Sequence, residues 1–136
     1  MTKKEATQIL AILSAAYPSS YRNMTEQEAQ GTVMVWCTQF GDISAEVVMM
    51  AVNKCISSSK FPPTVAEVKE KIKSVHWEAY EELNQHYTFG GLSEDEVDHL
   101  KRIAEETRNY KFSVHWGEPS VGQMLKASDR KLLKGE

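Results

Sequence analysis

Four histidines (His76, His86, His99 and His115) and two cysteines (Cys37 and Cys55) are the side chains best suited to acid–base, nucleophilic or metal chemistry. Their spacing supports little of it. The histidines form no His-Glu-x-x-His pair, and each cysteine lacks the close second cysteine that zinc sites use. Cys37 beside Trp36 and Cys55 at the end of an apolar stripe read as ordinary free thiols. A Cys–His nucleophilic pair is the minor alternative. The seven glycines build neither a Gly-x-x-x-x-Gly-Lys-Ser/Thr phosphate loop nor a Gly-x-Gly-x-x-Gly turn. No Gly-x-Ser-x-Gly elbow occurs. The expectation is a protein without catalytic residues, metal or cofactor.

Charge supplies two further candidates. Glu78, Glu81 and Glu82 with Glu94, Asp95, Glu96 and Asp98 form the densest acidic region. Paired carboxylates can hold a divalent cation or act as acid and base, but no twelve-residue calcium-loop pattern accompanies these. They read as the solvated surface of helices. The end of the chain has the opposite sign: from Tyr110 onward five basic residues face three acidic, whereas residues 76–109 carry three basic and nine acidic. Met124, Leu125, Leu132 and Leu133 fall near one helical face, with Lys126, Arg130, Lys131 and Lys134 on the rest. A basic amphipathic helix of about 13 residues is marginal alone. Its destinations are a partner's apolar groove, its own domain or, less favoured, a membrane surface. The candidate partner-binding residues are Met124, Leu125, Lys126, Arg130, Lys131, Leu132 and Leu133.

The elements that would carry these groups are legible from caps and apolar spacing. Thr2 with Glu5, Thr25 with Glu28, and Thr64 with Glu67 each have the form of a capping box, in which hydroxyl and carboxylate satisfy otherwise orphan amides. The first starts a helix carrying Ile9, Leu10, Leu13 and Tyr17 that stops at Pro18. The second starts one carrying Ala29, Val33, Trp36 and Phe40, ended by Gly41 and Asp42, with Trp36 and Phe40 expected in the core. A third begins near Ser44 and carries Val47, Val48, Ala51, Val52 and Cys55. Pro62 and Pro63 forbid a helix across their junction. The fourth then spans roughly 65–86, with Val65, Val68, Ile72, Val75, Ala79 and Leu83 on one face. Gly90 and Gly91 break it, and Ser93 with Glu96 restarts a fifth helix that folds back as a hairpin. Residues 111–116 are expected to be extended, and Ser120 to cap a last helix. The fold class is all-α: a small N-terminal bundle of about four helices with a polar helical C-terminal extension.

Composition divides the chain of 136 residues in the same place. Residues 1–75 hold 35 hydrophobic and 15 charged residues; residues 76–136 hold 21 and 20. The first part can enclose a core, whereas the remainder has the balance of an extension that packs lightly or waits for a partner. The expected domains are therefore 1–75, compact, and 76–136, an extension ending in a basic tail. A formal charge of -3 argues against a protein that grips nucleic acid through bulk charge. Too few cysteines for a disulfide framework, and no apolar run of membrane-spanning length, point to a cytoplasmic protein.

Residues 1–75 resemble a family of phage and prophage proteins, the small loader-and-inhibitor proteins of the replicative helicase. The resemblance rests on Thr2-Lys3-Lys4-Glu5-Ala6-Thr7-Gln8-Ile9-Leu10, Ala15-Ala16-Tyr17-Pro18, Met24-Thr25 and the helix around Val35-Trp36. Lys60-Phe61-Pro62-Pro63-Thr64-Val65-Ala66-Glu67-Val68 is its most telling part. The resemblance implies a helical N-terminal domain in a replication adaptor. Such a protein binds the ring-shaped hexameric replicative helicase, restrains its ATPase and unwinding, and delivers it to the phage origin with an origin-binding protein. The family's C-terminal part is more variable and is implicated in grasping the helicase.

The residues themselves are compatible with that role. A chain without a nucleotide loop has to act by binding, and binding shifts a partner only through unequal affinity for its states. The alternative is a small DNA-binding replication or regulatory protein. The junction Phe40-Gly41-Asp42-Ile43-Ser44 is short enough for a helix-turn-helix. Its reading helix would offer Glu46 and Lys54 but no arginine cluster for phosphates or guanine edges. A small hydrolase is the least favoured class, since it needs a pocket joining a cysteine or carboxylate to a histidine.

Overall fold

Helix starts set the architecture. A computed structural model of the chain describes the backbone of residues 1–113 and the side chains of residues 1–108. It contains α1 (Lys3–Ala16), α2 (Pro18–Tyr21), α3 (Glu26–Gln39), α4 (Ala45–Ser58), α5 (Val65–Phe89) and α6 (Glu94–Ser113). The fold is all-α. The boxes at Thr2, Thr25 and Thr64 close in both directions, hydroxyl to the third amide and carboxylate back to the cap amide. Ser93 and Glu96 do the same for α6, at 3.2 and 2.9 Å. Ser44 caps α4 by accepting from the Val47 amide at 3.3 Å.

Three expectations need correction. Pro18 does end α1, but it also opens the short helix α2, because proline at the first helical position gives up an amide that has no partner there. The fourth expected helix, α5, runs on to Phe89, where Gly90 donates its N–H to the His86 carbonyl at 2.7 Å. Residues 111–113 belong to α6 and are not extended. No glycine or proline occurs within Glu94–Ser113, so the alternation around Phe112 does not pull these residues out of the helix. The expected extended segment beyond 113 and the last helix from Ser120 lie outside the described residues.

The turn between α5 and α6 depends on two glycines. Gly90 and Gly91 have φ of 79° and 112°, a region that side chains with a Cβ rarely enter. Leu92 then donates its N–H to Nδ1 of His86 at 3.2 Å, tying the turn back to α5.

One buried cluster runs through the molecule. Ala6, Ile9, Leu13 and Tyr17 come from α1 and its cap, Trp36 and Phe40 from α3 and its cap, and Val47, Val48, Ala51, Val52 and Cys55 from α4. Val68, Ile72, Val75, Ala79 and Leu83 of α5 and Ile103 and Ala104 of α6 belong to the same cluster. Helix α1 packs on α2, α3 and α4, while α5 packs on α4 and α6. Helix α4, with five buried residues, joins the two groups. Two hydrogen bonds fix the edges: the Tyr17 hydroxyl donates to the Ser59 carbonyl at 2.9 Å, and the N-terminal ammonium to the Ile43 carbonyl at 3.3 Å. Among the described residues no helix is long and apolar enough to cross a membrane.

Candidate partner-binding surfaces

The hairpin of α5 and α6 shares the apolar core with α4 and is tied to it by polar groups as well. The Glu106 carboxylate accepts from both the backbone N–H and the hydroxyl of Ser44, at the head of α4. In the first turn of α4, Glu46 accepts from Arg102 at 3.0 Å and pairs with His99. The His99 hydrogen bond is the main cause holding the Glu46 carboxyl below its ordinary value, with Arg102 acting in the same direction. Inside the hairpin, His76 and Thr107 are the buried polar residues, and His76 Nδ1 lies 2.9 Å from the Thr107 hydroxyl. That hydroxyl donates to the Ile103 carbonyl at 2.7 Å. The direction of the His76–Thr107 hydrogen bond follows the histidine tautomer.

These contacts account for the residues first considered as chemistry. Cys37 and Cys55 are free thiols; Cys55 is buried, and desolvation pushes its thiol up from the ordinary value. His76, His86 and His99 are engaged by Thr107, Leu92 and Glu46 respectively, and His115 lies outside the described residues. Among the described residues no group of three or more His, Cys, Asp or Glu is placed to hold a metal. A shallow crevice between α1 and α3 is lined by Ala6, Leu10, Leu13, Thr32, Val33 and Trp36, none of them titratable.

The helix-turn-helix alternative places α4 as the reader, and the geometry works against it. The first turn of a recognition helix must meet base edges. Here the polar groups of that turn are bonded to Glu106, His99 and Arg102 of α6. Both polar residues it was expected to offer are engaged within the chain, Glu46 as above and Lys54 with Glu78.

Among the described residues, exposed apolar side chains recur along α3 and α5. On α3, Met34 and Val35 are more than half exposed, in a helix with no charged residue between Gln30 and Gln39. On α5, Trp77, Tyr80 and Tyr87 recur at spacings of three and seven along one face, with Asn84 between the tyrosines. Trp77 and Tyr80 meet edge to face, with ring centroids 6.2 Å apart. Taken singly the tyrosines are uninformative in sequence, and the 77, 80, 84, 87 spacing is the signal that could have found them. The candidate contact residues Met124, Leu125, Lys126, Arg130, Lys131, Leu132 and Leu133 all lie outside the described residues.

Capped helices around an apolar core, joined by polar clasps, define an all-α helical bundle. The family model for the N-terminal domain of the gene 39 protein matches residues 1–69. The chain belongs to that family, the phage helicase loader and inhibitor (gene 39 protein) family. No curated protein and no solved structure matches it. The family is one of phage helicase-associated proteins, and its name implies interaction with a replicative helicase.

Proposed function

We propose that this protein is a phage replication adaptor. It binds the hexameric replicative helicase, restrains its ATPase and unwinding, and helps load it at the phage origin, together with an origin-binding protein. It acts in the host cytoplasm, without a membrane and without strong nucleic-acid binding of its own. The observation that carries this reading is the family match across residues 1–69.

The mechanism is binding without turnover. A ligand shifts a partner's equilibrium only by its unequal affinity for the partner's states. The adaptor therefore holds back the helicase by preferring a non-translocating state. The capped core acts as the scaffold. Met124, Leu125, Leu132 and Leu133 enter an apolar groove on the helicase, with Lys126, Arg130 and Lys131 at the rim. Amphipathic segments commonly dock in this way.

Removal of residues 120–136 tests the assignment. Circular dichroism and thermal melting should still report a folded core, while binding to the helicase is lost. Undiminished affinity in the shortened chain would move the contact elsewhere.

A further inference from the structure

Eight of the fourteen residues from Glu94 to Thr107 are charged, against two of fourteen in α4. Helix α6 therefore has little apolar surface with which to hold its place. Among the described side chains it gives Ile103 and Ala104 to the buried cluster of nineteen, and its Val97 and Leu100 are half-buried. The rest of the cluster comes from the chain before α6, so those residues still pack on one another without it. An element that buries few apolar side chains opens more readily than the whole fold.

The hydrogen bond between Thr107 and His76 shows which face of α5 lies under α6. His76, Ala79 and Leu83 recur on that face at intervals of three and four, and all three are buried. Where α6 meets the head of α4, the groups that join them are polar: Glu106 on Ser44, and His99 and Arg102 on Glu46. The clasp on Glu46 is exposed, and ion pairs in water contribute little.

The joint at the base of α6 is roomy. An added Cβ at Gly90 or Gly91 would meet no atom within 4 Å, so the turn has space to change shape. Two successive glycines also have the widest choice of backbone angles. The bond from the Leu92 N–H to His86 is what a rotation there gives up.

We propose that α6 is a hinged cover, which swings off α5 about Gly90 and Gly91 while α1 to α5 stay folded. In the open state His76, Ala79 and Leu83 lose part of their cover, and α4 loses the carboxylate that completes its cap. The opening is a property of the chain alone and does not depend on the helicase reading.

Amide hydrogen exchange of the full chain, read residue by residue by NMR in rising urea, tests this. The amides of Leu100, Ile103 and Ala104 should be protected at least about tenfold less than those of Val48, Ala51 and Val52. Their exchange should still accelerate with urea, but with a shallower slope than in α4, because opening exposes only part of the surface that unfolding exposes. Ile9→Val separates the two events, since α1 packs on α2, α3 and α4. It should lower protection in α4 by about threefold to tenfold, the usual effect of trimming a core isoleucine, and leave α6 unmoved. Glu106→Ala should speed exchange in α6 by about tenfold or more. Equal protection in the two helices, or exchange in α6 that ignores urea, would overturn the proposal. So would a loss in α6 equal to that in α4 on Ile9→Val, or no response to Glu106→Ala. No helicase takes part, so failure here leaves the helicase reading to its own experiment.

Discussion

Glu106, late in α6, closes on Ser44, the residue that starts α4, 62 positions earlier in the chain. The carboxylate takes the Ser44 N–H and hydroxyl, while the same hydroxyl accepts from Val47. A side chain of the hairpin thereby completes the cap of the central helix. Because α4 carries the middle of the core, hairpin attachment and core stability are coupled.

Breaking that clasp should therefore weaken the whole fold. Glu106→Ala is expected to cost about 1.5–3 kcal/mol, the range for a hydrogen bond to a charged group. Glu106→Gln keeps one acceptor and should cost less. Urea unfolding followed by circular dichroism gives both values. Equal stability of the alanine variant and the parent would show that the clasp adds nothing.

The His76–Thr107 pair makes a sharper demand, because both residues are buried. Thr107→Val keeps the shape but removes the hydroxyl that His76 Nδ1 hydrogen-bonds, at an expected cost of about 1–3 kcal/mol. The His76 ring protons, followed by NMR, should shift along with the melting temperature. A valine variant as stable as the parent would show that this buried hydrogen bond adds nothing.

Two glycines should respond with opposite signs. Gly90 has φ of 79° and ψ of -164°, a region essentially reserved for glycine. Gly90→Ala is expected to destabilise by about 1–3 kcal/mol. Gly31, inside α3, has nothing within 4 Å of an added Cβ. Gly31→Ala should stabilise by about 0.5–1 kcal/mol through helix propensity. Thermal melts that move in the same direction for both variants would contradict this assignment.

Acid should loosen the attachment of α6. The Glu46 carboxyl titrates below its ordinary value near 4.5 in the folded chain, because of His99 first and Arg102 second. A depressed carboxyl contributes stability that is complete above its unfolded pKa and disappears as pH falls through the folded one. Stability should therefore decline below about pH 4.5, and Glu46→Gln should flatten part of that decline. The site is largely solvent-exposed, so the effect is small. An unaltered pH profile in the glutamine variant would show that Glu46 has no part in the acid response.

The local signals in the sequence are strong, and the structure follows them. Four capping boxes, the Pro62–Pro63 break and the Gly90–Gly91 turn each act within a few residues, and each appears where its chemistry requires. The core stripes of α4 and α5 are equally legible, since Val47 to Cys55 of one stripe and Val68 to Leu83 of the other are buried, with Val65 half-buried. Helix α3 is less so: Trp36 is buried, but Ala29 and Val33 are only half-buried because α3 packs chiefly on α1. The clasps from Glu106 to Ser44 and from Glu46 to His99 and Arg102 have no sequence signature. Their partners lie 53 to 62 residues apart, and only the return of α6 along α5 brings them together. The aromatic face of α5 is readable from its spacing, but its exposure depends on where α4 and α6 pack.

Action on a helicase by binding alone is tested most directly by co-elution. The full chain is passed over a sizing column with the host's hexameric replicative helicase, with and without ATP, while helicase ATPase is measured. The expected result is a complex whose formation depends on ATP and in which ATP turnover is suppressed. Failure to co-elute under either condition, with ATPase unchanged, would contradict it.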